Sequence, residues 1–228
     1  MTNHTFAKNQ TDILSMVMRQ VYLRMFIALL VTAFTAMFVA SSPTLLEAIL
    51  SNKVIFFGII IAELALVIGL SAAIDKLSTP IANLMLLVYA MLNGVTLSSI
   101  FFIYTLGSIA YTFFISAGVF LAMSIYGFVT KNNLNTFASY CIMGLFGIII
   151  ASLVNIFLGS DSLQWIISFV GVALFMGLTA WDTQKIKQAS YYADHSQVGR
   201  LAVIGALSLY LDFINIFLYL LRFFGKRD

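Results

Sequence analysis

Charge is what this chain has least of. Asp, Glu, Lys and Arg make up only 9% of its 228 residues, where a soluble domain carries about 25%. Cysteine occurs once, at Cys141, so an internal disulfide is excluded. His4 and His195 are the only histidines, and neither has companions at metal-ligand spacing, which argues against a zinc-type site. Pro43 and Pro80 are the only prolines. Both are read as lying in loops or at a helix start, where a missing N–H does no harm. No Ser/His/Asp or Cys/His constellation, HExxH, P-loop or dinucleotide fingerprint is present, so the chain is read as non-enzymatic and without a cofactor. A net charge of +3 is too small and dispersed for nucleic-acid binding.

What is abundant is hydrocarbon. Apolar residues reach 61%, against about 45–50% in soluble proteins. They gather into seven runs: Val21–Ala40, Val54–Ile74, Ile81–Tyr104, Ser108–Val129, Phe137–Leu158, Leu163–Trp181 and Leu201–Phe224. Each approaches the 20 or so residues that cross a bilayer as a helix. The alternating ten-residue segments of a membrane β-barrel are missing. The expected fold is all-α: a tail over residues 1–20, a seven-helix transmembrane domain over 21–225 and a short tail over 226–228. Its first partner is the lipid bilayer. The first run is too long, and too far from the start, for a cleavable signal.

Basic residues set the expected orientation. Lys8, Arg19, Arg24, Lys76, Lys131, Lys185, Lys187 and Arg200 fall on one side of a seven-span chain, and Lys53, Arg222, Lys226 and Arg227 on the other. The positive-inside rule then puts the N-terminus in the cytoplasm and the C-terminus outside.

Three acids stand against this background. Asp212 lies in the middle of the last run, Glu63 inside the second, and Asp182 closes the sixth. A carboxylate at the bilayer centre costs at least about 2.5–3.5 kcal/mol on the mildest scale, which marks it as a functional candidate. Asp212 belongs to a stripe: Ser208, Asp212, Asn215, Tyr219 and Arg222 are spaced to share one helix face. The opposite flank is read as Leu, Ile and Phe. For Ser208 and Asn215 helix–helix adhesion is the preferred reading, whereas for Asp212 the balance reverses, because an acid costs much more than an amide. For Asp182 a solvated helix end beside Lys185 and Lys187 is the competing reading. If its helix continues to Gln188, however, Asp182 lies below the surface and can face Asp212. Two carboxylates held close share a proton rather than both ionising, and when ionised they offer hard oxygens to Ca²⁺. Glu63 is expected to line the same polar interior. Asn93 and Thr96 show helical spacing in the third run. Gly94, Gly127, Gly144, Gly147, Gly171 and Gly177 are read as points of close helix approach. Trp165 and Trp181 are read as interfacial anchors. Asp182 and Asp212 on neighbouring helices also suit an intramembrane aspartyl hydrolase, although the motifs of such proteases are missing.

The segments Trp181-Asp182-Thr183-Gln184-Lys185-Ile186 and Leu209-Tyr210-Leu211-Asp212-Phe213-Ile214-Asn215-Ile216-Phe217 resemble the Bax inhibitor-1 family, in particular its bacterial inner-membrane branch. Leu92–Phe101 and the ending Leu221-Arg222-Phe223-Phe224-Gly225 resemble it too. The resemblance implies a seven-helix bundle with the last helix at its centre. It also implies a pH-sensitive Ca²⁺ leak across the inner membrane, with Ca²⁺ and H⁺ as the species handled. The family's pH-sensing aspartates match Asp182 and Asp212, which a passing Ca²⁺ would also meet. Its basic latch after the second helix matches Lys76, a lysine where the family has an arginine; lysine lacks the bidentate fork. Some bacterial relatives lack the aspartates and instead modulate a membrane protease. A non-transporting regulator that binds another membrane protein is therefore the alternative.

Overall fold

The computed structural model describes residues 2–226, with the side chains of residues 2–9 and 50 outside the description. His4, Lys8 and Arg227 thus lie outside the described side chains. The elements are α1 (Thr2–Ala40), α2 (Pro43–Ser51), α3 (Lys53–Ala73), α4 (Thr79–Leu97), α5 (Ile100–Ile103), α6 (Leu106–Val129), α7 (Asn135–Leu158), α8 (Asp161–Tyr191) and α9 (Val198–Phe224). Among the described residues there is no strand. Seven helical stretches are long and apolar enough to cross a membrane, and they correspond to the seven runs. The protein is therefore an all-α, multi-pass membrane protein.

Local chemistry sets the boundaries. Asn52 caps α3, its Oδ1 accepting from the N–H groups of Val54 and Ile55 at 3.0 and 3.3 Å. Pro43 and Pro80 each stand in the first turn of a helix. Gly159 ends α7 in the left-handed conformation, with φ of 61°. The third apolar run is interrupted between α4 and α5. There Ser98 and Ser99 turn their hydroxyls back to the carbonyls of Val95 and Thr96, at 2.6 and 3.0 Å. Such bonds compete with the helical ladder.

Helix extends beyond the apolar runs in three places. Within the expected tail, α1 begins at Thr2, and Ile13 and Val17 are buried. The connection after Ala40 contains α2, which buries Leu46. The segment after Trp181 is helix as far as Tyr191, although it turns polar. Thr-Gln-Lys-Ile-Lys-Gln-Ala contains several good helix formers. Trp165, near the start of α8, is 54% exposed. Trp181 lies within α8 and donates its Nε1–H to Asn135 Oδ1 at 2.9 Å.

The helices form two compact units, Met1–Ile103 with Ile186–Tyr210, and Tyr104–Lys185 with Leu211–Arg227. In the first, α1 packs on α4 so closely that a Cβ on Gly94 would sit 2.6 Å from the Thr32 carbonyl oxygen. In the second, a Cβ on Gly127 would overlap the backbone of Ala180. Gly147 does not mark such a contact, because a Cβ there meets open space. The chain of α9 runs through both units. It is the most enclosed span, 67% buried against at most 39% for the others.

Candidate functional site

Asp212 is 4% exposed. Its Oδ2 is buried without a hydrogen-bond partner among the described residues. A carboxylate oxygen left unsatisfied in a dry interior is costly. Asp182 projects from α8, which continues well beyond Gln188, and is close enough for the two carboxylates to act on each other. Both belong to the second unit. Lys185, one turn on from Asp182, also acts on Asp182 and holds its Nζ 4.8 Å from the centre of the Trp181 ring. Thr179 is the hydroxyl beside Asp212. Its own proton is directed to the Phe175 carbonyl at 2.8 Å. The other orphaned buried oxygens are the hydroxyls of Thr112, Ser124 and Thr183, all in this same unit.

The rest of the stripe is less free. Asn215 is half-buried and donates its Nδ2–H back to the Leu211 carbonyl at 2.8 Å. Tyr219 stacks on Phe175 with ring centres 6.0 Å apart. It fills the space a side chain on Gly171 would take. The Arg222 guanidinium lies 5.6 Å from the centre of the Tyr219 ring. Ser208 is half-buried.

Glu63, Asn93 and Thr96 form a separate set in the first unit. Thr96 donates its hydroxyl to Glu63 Oε1 at 2.5 Å, and Asn93 Nδ2–H reaches Oε2 at 3.5 Å. Asn93 Oδ1 accepts from the Tyr210 hydroxyl at 3.0 Å. Tyr210 OH is in turn 2.6 Å from the Thr32 hydroxyl. The flank of α9 opposite Asp212 is therefore not wholly apolar. Tyr210, fully buried, is a polar residue that the sequence reading overlooked. The available signal was a phenol in mid-span, two residues before Asp212 and so on the far side of the helix. Thr112, Thr179 and Thr183 were overlooked as well, because isolated threonines are common in membrane helices. Lys76 is exposed in the turn after α3, its N–H bonded to the Ala73 carbonyl at 2.9 Å.

Among the described residues no three His, Cys, Asp or Glu side chains cluster to hold a metal. Two carboxylates fall short of the about 6–8 oxygens that a resident Ca²⁺ takes.

The family model described as "Inhibitor of apoptosis-promoting Bax1" matches residues 14–228. This chain belongs to that family. Inner membrane protein YbhL of Escherichia coli (strain K12) is 49% identical over 213 residues, covering 92% of this chain and 91% of its own. A Borreliella burgdorferi protein is 46% identical over 229 residues, covering 100% and 99%. A Rickettsia prowazekii protein is 44% identical over 228 residues, covering 98% and 95%. Membership in the Bax inhibitor family thus extends over nearly the whole chain, including both sets of polar residues described above.

Proposed function

We propose that this protein is a pH-sensitive Ca²⁺ leak of the bacterial inner membrane, gated by Asp182 and Asp212. The observation that carries the reading is Asp212 itself. It is a nearly inaccessible acid in mid-span with an unpartnered oxygen, and the charged neighbour acting on it is another acid. Such an arrangement is unfavourable for stability alone. With one proton between them, the carboxylates make a charge-assisted bond that ties α8 to α9. A second proton neutralises both and removes that bond, and the helices are then free to shift. Leak therefore rises as pH falls. With both protons gone, the oxygens are free to meet Ca²⁺ as cargo. Glu63, Asn93, Thr96, Ser208, Asn215 and Tyr219 are candidates for the remaining polar route. Lys76 is the candidate latch, acting as a point charge. The name of the E. coli relative supports the inner-membrane location.

Liposomes loaded with a Ca²⁺-sensitive dye test this directly. The expected result is a leak that grows on acidification and loses its pH dependence in Asp212→Asn. Unchanged pH dependence in that variant would remove the gate. No flux, with a membrane protease co-purifying, would favour a non-transporting regulator. Aspartate-dependent cleavage of a model substrate would favour a hydrolase.

A further inference from the structure

A cavity of about 460 Å³ opens in the second unit, walled by Met123 and Tyr126 of α6, Asn132, Phe137 of α7, and Ala173 and Met176 of α8. The size falls within the range of ligand pockets, about 300–1,000 Å³. Ala173 and Met176 also border a second groove of about 280 Å³ along α8 and α9, whose walls are entirely apolar. The two spaces thus share a wall and continue along membrane-spanning helix. Their ends differ in chemistry. At the Asn132 end, Lys131, Asn132 and Lys185 are all exposed. The Trp181 indole stands at that end too, between Asn135 and Lys185. Gln184 fixes the rim. Its Nε2–H donates to the Asn132 carbonyl at 2.8 Å, and its Oε1 accepts from the Leu134 N–H at 3.0 Å. The mouth is therefore formed before anything enters it.

We propose that this cavity binds one anionic phospholipid, its headgroup phosphate between Lys131 and Lys185 and an acyl chain running past Ala173 and Met176. The hydrocarbon walls at lipid depth exclude a water-soluble ligand. The paired ammonium groups at the mouth select a negative headgroup. Lys185 is partly engaged by Asp182. Lys131 has no acidic partner among the described residues, so it contributes the unshared charge.

Trp181 provides a local probe, since it follows the lining residue Ala180. Trp165→Phe leaves Trp181 as the only tryptophan. The full chain is reconstituted in phosphatidylcholine vesicles containing either brominated phosphatidylglycerol or brominated phosphatidylcholine at rising fractions. Contact with bromine quenches the indole, and the two titrations yield the relative affinity. The expected preference for phosphatidylglycerol is about fivefold per lysine. It falls towards unity in Lys131→Gln/Lys185→Gln. Ala173→Phe, an exposed position facing the cavity, lowers quenching by both lipids. Equal quenching by the two lipids, or a preference that survives loss of both lysines, would overturn the proposal. So would quenching by neither, with a second copy cross-linking at this face. Native mass spectrometry of the chain with both tryptophans retained, comparing phosphatidylglycerol retention with and without the two lysines, repeats the comparison independently.

Discussion

At the scale of single residues, α9 carries two polar side chains with opposite circumstances. Tyr210 is satisfied, and Asp212 is not. Proton counting gives the first set a direction. Tyr210 has one hydroxyl proton, and Asn93 Oδ1 is an acceptor only. With Tyr210 donating to Asn93, the proton in its contact with Thr32 comes from Thr32, whose single hydroxyl hydrogen also faces the Ala28 and Ala90 carbonyls at 3.0 Å each, while Asn93 and Thr96 donate to Glu63. Asn93 and Thr96 are thus the two donors aimed at the carboxylate. Replacing Tyr210 by Phe removes the proton that Asn93 Oδ1 receives and leaves that oxygen buried. Polar contacts between membrane helices average about 0.6 kcal/mol and reach about 1.7. We expect Tyr210→Phe to cost the upper part of that range. Tyr219→Phe is the control. Its ring contacts with Phe175 and Gly171 survive, and its hydroxyl has no hydrogen bond among the described residues. A change within about 0.5 kcal/mol is expected there. Thermal unfolding in detergent compares the two, and equal losses would show that the Tyr210 hydroxyl contributes nothing particular.

At the scale of elements, what could be read from the sequence was hydropathy, and hydropathy reports spans rather than helices. Residues 1–20 and 182–191 are polar enough to end an apolar run, yet the backbone of α1 and α8 continues through them. The continuation of α8 is what makes Asp182 part of a helix face rather than of a loop. The break at Ser98 and Ser99 went the other way, an apolar run concealing two helices. Asp212 was legible because a buried acid is expensive wherever it sits. Tyr210, Thr32 and Thr179 were not, because a hydroxyl becomes informative only when its partner on another helix is known. Glycines show the same limit, since spacing alone does not tell Gly94 from Gly147. Gly94→Ala forces a Cβ against the backbone of α1 and should cost about 1–3 kcal/mol as overpacking. Gly147→Ala meets open space and should gain up to about 1 kcal/mol from helix propensity. Paired melting curves decide the matter, and a loss at Gly147 equal to that at Gly94 would refute the packing assignment.

At the scale of the whole molecule, seven helices are long and apolar enough to cross a membrane, and if all seven cross, the start of α1 and the end of α9 fall on opposite sides. Which side is which rests on charge. Each connection is short enough for its lysines and arginines to count, and the N-terminal side carries about twice as many. Seven spans and this bias together require Lys53 to be outside and His195 inside. Both positions are exposed, Lys53 as the first residue of α3 and His195 between α8 and α9. Cys141, the only native thiol, is buried and can be replaced by Ser to give a clean background. In spheroplasts, a membrane-impermeant maleimide should then label Lys53→Cys at once and His195→Cys only after lysis. The reverse pattern would invert the orientation while leaving the fold intact. Labelling of both before lysis would mean that one of the seven helices does not cross. Such a helix would bring Arg222 and Lys226 inside but carry Lys185, Lys187 and Arg200 outside, so the charge bias would not grow. The labelling therefore tests the count of spans as well as their direction, and composition alone decides neither.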